Sequence, residues 1–299
     1  MENITKNEDV ATVQKVTTDW LEDQLASEED LRIIDGQPNV HDYIAGHIPT
    51  AIYFNENVLR VTKHGLPAVY APEDLLQAAF QRIGVSKDSM IVVYSGKGAF
   101  KGWGDGLEQS MLAYSFARFG LNSIFVLDGG IDKWKKEQKP LTQSFPRFQD
   151  STFLVTPRLE YTVSMDEVKD LKQKDNVILL DARSANFYNG TEGPWIRNGH
   201  IPDAVNLPWK RFMDDANPYL LKDIKQIKSI LKDHDISKEK NIICSCGTGR
   251  EATAEFVLLK WYLNYPNVKI YEGSYTEWTA YPSNPVVSNN PVSEQQKIM

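Results

Sequence analysis

The sequence contains little cysteine: Cys244 and Cys246 are the only two thiols among 299 residues. Two cysteines separated by one residue cannot build a disulfide framework, and a bridge between them would be strained. Reduced thiols are typical of cytosolic proteins, so we expect a cytoplasmic location. A Cys-x-Cys metal site would need further ligands, and no second cluster of cysteine and histidine exists to supply them. We therefore expect no metal.

The sequence also lacks an excess of positive charge and any long apolar run. Lys+Arg 33 against Asp+Glu 40 gives a net charge of −7, which argues against broad binding to nucleic acid or anionic membranes. No uninterrupted apolar run approaches the length that crosses a bilayer. Residues 1–9 are polar and acidic, unlike a secretory signal. We therefore expect a soluble protein without nucleic-acid or membrane partners.

What the chain does contain is an internal repeat. Gly-His-Ile-Pro occurs at residues 46–49 and again at residues 199–202. Three further blocks recur in the same order: an apolar stretch ending in Asp, a second ending in Ser-Gly or Cys-Gly, and an Asp/Glu-Gly-x-x-x-x-Trp segment. They lie at residues 33–35 and 179–181, 91–96 and 242–247, and 128–134 and 272–278. Four matched blocks indicate two halves built on the same scaffold.

Each half alternates short apolar strands with amphipathic helices, a pattern that predicts an α/β fold. We expect two domains, each a mostly parallel sheet with helices on both faces. The boundaries predicted are 11–138 for the first domain and 156–286 for the second. Residues 139–155 between them begin with a polar, proline-punctuated stretch and are interpreted as a linker. Ligands of such sheets lie outside the carboxyl ends of the strands, where Asp35, Asp181 and Cys246 are expected.

The most informative stretch is the loop that follows the apolar strand at residues 241–245. Cys246 ends this run, and the glycines Gly247 and Gly249 flank Thr248 before a helix begins. Consecutive N–H groups of such a turn can hold an anion, and the positive end of the helix dipole favours thiolate over thiol. Cys246 is therefore the predicted nucleophile. Arg250 adds a cation in the same turn, whereas Cys244 lies within the strand and is assigned to the core.

Other polar residues of the second half are candidates for supporting roles. Asp181 is interpreted as a structural carboxylate in an ion pair or a loop-fixing hydrogen bond, and Arg183 is placed to reach an anion held by the Cys246 loop. Arg197 is a weaker candidate, within an insertion (residues 188–198) whose role the sequence does not indicate. The two histidines of the Gly-His-Ile-Pro blocks are interpreted as parts of a structural turn. In the first half, Ser95 stands where the second half has its cysteine.

Together these motifs resemble those of the tandem-domain rhodaneses, a sulfurtransferase family. The resemblance covers roughly residues 13–284 and includes one loop of the form Cys-x-x-Gly-Arg at residues 246–250. It implies an inactive first domain, and a second whose Cys246 thiolate takes sulfur from a small anionic donor as a persulfide. The persulfide then passes its sulfur to cyanide or a thiol. The arginines Arg183 and Arg250, with residues 247–249, would bind the donor, and no cofactor is needed.

The identity of the donor and two other functions remain open at this stage. Thiosulfate-using members have basic residues in the loop, which Arg250 matches and Thr248 does not. Mercaptopyruvate-using members resemble Cys-Gly-Ser-Gly-Val-Thr, to whose first four positions residues 246–249 are close. We expect thiosulfate, with 3-mercaptopyruvate as the alternative. A cysteine phosphatase would need an arginine six residues after the cysteine, where Ala252 stands. A non-enzymatic persulfide carrier or sensor remains a further alternative.

Overall fold

The structure is a computed structural model that describes residues 10–26 and 31–289. The expectation about residues 1–9 lies outside these described residues. The chain divides into two compact units, the first formed by Met1–Leu59 and Ala71–Arg158, the second by Arg60–Tyr70 and Leu159–Met299. No helix in the described part of the chain combines the length and the apolar character needed to cross a bilayer.

The strands of the described residues mostly coincide with the apolar runs. In chain order they are β1 (Thr12–Val16), β2 (Leu31–Asp35), β3 (Ile52–Tyr53), β4 (Arg60–Lys63), β5 (Leu66–Tyr70), β6 (Met90–Tyr94), β7 (Ser123–Leu127), β8 (Val177–Asp181), β9 (Val205–Asn206), β10 (Asn241–Ser245) and β11 (Val268–Ile270).

The helices alternate with these strands. They are α1 (Thr18–Gln24), α2 (Val40–Ala45), α3 (Glu73–Arg82), α4 (Glu108–Arg118), α5 (Gly130–Lys136), α6 (Met165–Leu171), α7 (Ala185–Asn189), α8 (Ile224–Lys232), α9 (Arg250–Val257) and α10 (Ser274–Ala280). Local sequence explains several of their starts. Ser164 and Glu167 form a capping box before α6, and Asp223 with Gln226 does the same before α8, which satisfies N–H groups that a helix end leaves unpaired.

Both units contain a parallel sheet, as the strand–helix alternation predicts. The first sheet has the order β1-β7-β6-β2-β3 and the second the order β11-β10-β8-β9. Each repeat tryptophan lies in a core beneath its sheet. The indole N–H of Trp134 donates to the carbonyl of Pro140, and that of Trp278 to Pro285, both at 2.8 Å. The α/β fold predicted from the sequence is confirmed.

The repeated histidines have the structural role that the duplication predicts. His47 Nδ1 lies 2.8 Å from the carbonyl of Tyr43, and His200 Nδ1 lies 2.8 Å from the carbonyl of Tyr188. Each imidazole also stacks on that tyrosine, with ring centroids 3.9 Å and 3.7 Å apart. The same contacts in a unit without cysteine and in the unit with it show that both histidines brace a turn.

Two features of the organisation differ from the predicted boundaries. The antiparallel hairpin of β4 and β5 belongs to the second unit, although its sequence lies within residues 11–138. The stretch 139–155 belongs to the first unit, where Thr142 pairs with His47 and the Ser151 N–H donates to the Gln81 carbonyl. The composition of these segments indicates where the chain is polar and where it turns. It does not indicate which unit a segment packs against, because that depends on contacts with residues far away in the sequence.

Candidate active site

The Cys246 loop connects β10 to α9 at the carboxyl edge of the second sheet. Cys246 is buried, its N–H donates to Ser274 Oγ at 3.0 Å, and the Gly249 N–H points at Sγ at 3.1 Å. Gly249 has φ +81°, a left-handed conformation that disfavours residues with a Cβ. A Cβ there would also lie 2.4 Å from the Glu272 carbonyl oxygen. The sequence Cys-Gly-Thr-Gly therefore folds so that one N–H binds the sulfur.

The charge state of the thiol differs from the expectation. Burial, followed by the Glu251 carboxylate, raises the pKa of Cys246 to about 12, while nearby backbone N–H groups lower it. The loop N–H groups thus act in the predicted direction, but burial outweighs them, and the prediction of a thiolate-favouring environment is wrong for this structure. Burial also raises the pKa of Glu251 to about 6.

Asp181 and Arg183 follow β8 as a buried ion pair beside this loop. Arg183 Nε donates to Asp181 Oδ1 at 2.8 Å, and Nη2 donates to Asp181 and to the Gly199 carbonyl, the latter at 2.8 Å. Among the described residues Nη1 has no hydrogen-bond partner although it is buried. The structure therefore places Arg183 with two nitrogens engaged by the protein and one donor nitrogen unused.

Trp195, within the insertion at residues 188–198, was not predicted as a site residue. The Arg183 guanidinium lies 5.0 Å from the Trp195 ring centroid and 4.2 Å from that of Tyr275, in cation–π range. The indole also packs on the loop, because a Cβ added to Gly247 would lie 3.0 Å from Trp195 Cζ2. Its N–H donates to Thr276 Oγ1 at 2.9 Å. The sequence did contain a signal for this role, because Trp195 lies in an insertion that only the cysteine-containing half has.

Arg197 of the same insertion is occupied in the structure by backbone carbonyls. Its Nη1 and Nη2 atoms donate to four of them, at 2.6 to 3.3 Å, from Thr279, Tyr281, Pro282 and Asn284. The tertiary arrangement therefore makes Arg197 a clamp on the last turn of α10 and the residues that follow it. This corrects its candidacy as an anion ligand.

Arg60 of β4 also contacts the loop and has no counterpart in the sequence prediction. Its Nη1 donates to the Thr248 carbonyl at 3.0 Å and lies 3.4 Å from Thr248 Oγ1. The two residues are 188 positions apart, so no spacing rule could have paired them. Arg250 is the first residue of α9 and is half-buried, and its charge lowers the pKa of Glu251.

Comparison with known proteins agrees with this geometry. A family model described as a rhodanese-like domain matches residues 17–137 and again residues 164–281. The chain belongs to the rhodanese-like family. Its two units are tandem rhodanese-like domains, and the resemblance stated from the motifs is confirmed.

Several known proteins are similar to this chain over most of its length. A putative thiosulfate sulfurtransferase of Synechococcus elongatus is 35% identical, covering 90% of this chain and 84% of that protein. The 3-mercaptopyruvate sulfurtransferase of Escherichia coli is 28% identical over 93% and 99%. The sulfur carrier protein TtuD of Thermus thermophilus is 28% identical over 88% and 92%. An ergothioneine biosynthesis enzyme of Chlorobium limicola shares the fold, with TM-score 0.79 at 20% identity over 97% and 72%.

In the first rhodanese-like domain, the loop equivalent to the Cys246 loop already binds an acidic side chain of the same domain. Ser95 stands at the cysteine position, is buried, and donates to the Gly36 carbonyl at 3.2 Å. The Ala99 and Phe100 N–H groups of the same loop both donate to Asp42 Oδ1, at 2.6 and 3.1 Å. These N–H groups therefore already bind a carboxylate of the domain itself.

Gln37 of the first domain corresponds to Arg183 of the second. Its N–H and side-chain amide donate to Asp35 at 2.9 and 3.0 Å, the bracket that Arg183 makes with Asp181. The domain without a cysteine thus has the same pair of hydrogen bonds to its aspartate, made by a neutral glutamine instead of a charged arginine. Within the described residues, no group of three or more His, Cys, Asp or Glu side chains is arranged to hold a metal ion.

Proposed function

We propose that this protein transfers sulfane sulfur from thiosulfate to cyanide or a thiol through a persulfide on Cys246. The observation that carries the proposal is the Gly249 N–H that points at the Cys246 sulfur at 3.1 Å. A donor in this position stabilises negative charge on the thiolate and on the terminal sulfur of a persulfide. Both cysteines are buried and form no disulfide among the described residues, which fits the reducing, cytoplasmic compartment that we propose.

The chemistry proceeds in two displacements. The Cys246 thiolate attacks the outer sulfur of thiosulfate, the S–S bond of the donor breaks, and sulfite leaves with the bonding pair. Cys246 then carries a persulfide anion. Cyanide attacks its terminal sulfur, the Cys246 S–S bond breaks, and thiocyanate leaves as the thiolate is regenerated. A covalent intermediate divides the transfer into two easier steps, and neither step requires an external oxidant, reductant or cofactor.

Arg183 is proposed to bind the anionic end of the donor. The reason is the contrast with the first domain, where Gln37 makes the same bracket with a carboxylate. A structural role alone does not need a guanidinium, yet a buried cation with an unused Nη1 is present in the domain that has the thiol. A donor N–H of a charged guanidinium forms strong hydrogen bonds to oxyanions. Arg250 and the N–H groups of residues 247–249 are proposed to hold the same anion.

A second donor, 3-mercaptopyruvate, is favoured by the loop sequence and by the Escherichia coli relative. Its transfer would leave pyruvate and the same Cys246 persulfide. The similarity to the Thermus thermophilus carrier makes a third function testable, in which Cys246 holds sulfur for a partner protein. The relative with the higher identity, named for thiosulfate, is the reason we place thiosulfate first.

The experiment measures thiocyanate from thiosulfate plus cyanide and pyruvate from 3-mercaptopyruvate plus a thiol, with the same enzyme. We expect the higher kcat/KM with thiosulfate. Cys246→Ser should abolish both activities, whereas Cys244→Ser, which alters a buried strand residue, should keep most of the activity. A Cys246 persulfide detected by mass spectrometry with negligible turnover of either donor would favour the carrier function. Equal losses in both variants would overturn the assignment of the nucleophile.

A further inference from the structure

The hairpin of β4 and β5 lies in the first half of the sequence, yet it packs within the second unit. Its first residue, the half-buried Arg60, donates through Nη1 to the Thr248 carbonyl at 3.0 Å. The first half therefore contributes a cation to a loop whose own sequence has a neutral threonine at this position. Neither the repeat nor the loop motif assigns any role to this arginine.

The contact is informative because of the peptide group that it reaches. The Thr248 carbonyl and the Gly249 N–H belong to one peptide unit, which resonance keeps planar. Arg60 binds the oxygen end of this unit, and the Cys246 sulfur accepts from its N–H end at 3.1 Å. A rigid group thus joins the guanidinium to the sulfur, with one hydrogen bond at each end.

Two physical effects follow from this chain of bonds. The guanidinium carries a positive charge, and a cation at the carbonyl polarises the peptide so that its N–H becomes a stronger donor to the sulfur. The contact also fixes the orientation of the peptide. Glycine at position 249 is conformationally permissive, so a peptide without this anchor has more freedom to turn its N–H away from the sulfur.

We propose that Arg60 is a positioning residue of the active site, which orients and polarises the Thr248–Gly249 peptide toward the Cys246 sulfur. The inference deepens the proposed function, because it rests on Cys246 being the nucleophile. It assigns a part in sulfur transfer to a segment from the first half of the sequence, although the domain formed by most of that half has Ser95 in place of a cysteine. The N–H stabilises the thiolate and the terminal sulfur of the persulfide more than it stabilises the neutral thiol, because both of these species are anionic.

The test compares Arg60→Gln, Arg60→Lys and a matched control, Lys63→Gln. Lys63 ends the same strand and is exposed, so its replacement removes one positive charge from the hairpin away from the Thr248 contact. All variants are made in a Cys244→Ser background, which leaves Cys246 as the only thiol. The rate of alkylation by iodoacetamide is followed by mass spectrometry against pH. This readout needs no sulfur donor, so it remains valid even if the proposed transfer activity is absent.

We expect Arg60→Gln to raise the apparent pKa of the Cys246 thiol by about 0.5 to 1 pH unit, since a nearby cation is lost. Its kcat for thiosulfate should fall about tenfold with a small change in KM, because the donor N–H is misplaced rather than deleted. Arg60→Lys keeps the charge and should recover part of both effects. Lys63→Gln should match the background enzyme. If Arg60→Gln does not fold, the intermediate shift in Arg60→Lys carries the test. A folded Arg60→Gln, or in its absence Arg60→Lys, with an unchanged alkylation profile would overturn the proposal.

Discussion

Replacing Gly249 by alanine tests the loop geometry most directly, because the residue supplies the N–H that contacts the sulfur. At φ +81° an alanine is strained, at a cost of about 1–2 kcal/mol. Its Cβ would also lie 2.4 Å from the Glu272 carbonyl oxygen, a backbone atom that cannot rotate away. Overpacking of this kind costs a further ~1–3 kcal/mol. We therefore expect Gly249→Ala to lower the free energy of unfolding by about 2–5 kcal/mol.

The chain provides a matched control in Gly65, at the exposed turn of the β4–β5 hairpin. Gly65 also has φ +81°, but a Cβ there would meet no atom within 4 Å. Gly65→Ala should therefore cost only the backbone strain, about 1–2 kcal/mol. The difference between the two variants in urea unfolding isolates the collision with Glu272.

Activity gives the second readout for Gly249→Ala. If the loop shifts to relieve the collision, the N–H moves away from the sulfur, and the loss of one such donor lowers kcat about 10²- to 10³-fold. KM should change much less. Steady-state kinetics with thiosulfate and cyanide measures both. The reasoning is refuted if Gly249→Ala loses no more stability than Gly65→Ala and keeps kcat within about threefold.

Two other substitutions probe the charges around the thiol. Glu251→Gln removes a carboxylate that raises the pKa of Cys246, so alkylation at pH 8 should become faster by several-fold; a slower reaction would contradict the assigned sign. Burial raises the pKa of Glu251 to about 6, above its ordinary value of 4.5, so the contribution of this group to stability is lost as pH rises from about 4.5 to about 6. The variant should therefore gain up to about 2 kcal/mol over wild type above pH 6 in unfolding experiments. Arg183→Gln reproduces the Gln37 bracket of the first domain and should keep the fold by circular dichroism while kcat/KM for thiosulfate falls about 100-fold. An unchanged kcat/KM would leave Arg183 a structural residue.

Much of the fold, and the place of Cys246 directly after β10, could be predicted from local sequence patterns. Apolar runs of strand length became β2, β6, β8 and β10, and the Gly-rich turn after Cys246 leads directly into α9. The two Gly-His-Ile-Pro blocks adopt the same histidine contacts in both domains. The strands and the turn depend on residues a few positions apart, which is the range over which backbone preference and hydrophobic periodicity act. The second histidine contact reaches further, because Tyr188 lies 12 positions before His200.

The insertion at residues 188–198 shows where that range ends. Two of its residues carry large side chains that any sequence comparison would mark as candidates. Packing then separates them, because Trp195 lies against the loop and Arg183, whereas Arg197 donates to four backbone carbonyls at the end of α10 and just after it. The presence of an arginine in the sequence does not reveal which acceptor groups its guanidinium will bind in the folded chain.

The sequence by itself determined that the chain has two copies of one α/β scaffold and that only the second retains a thiol at the loop position. Tertiary structure alone decided that burial raises the pKa of that thiol, and that Arg60 reaches the Thr248 carbonyl from 188 positions away. The physical reason is that strands, turns and helix starts are encoded by neighbouring residues. Desolvation and the pairing of a guanidinium depend on which distant segments the folded chain brings together.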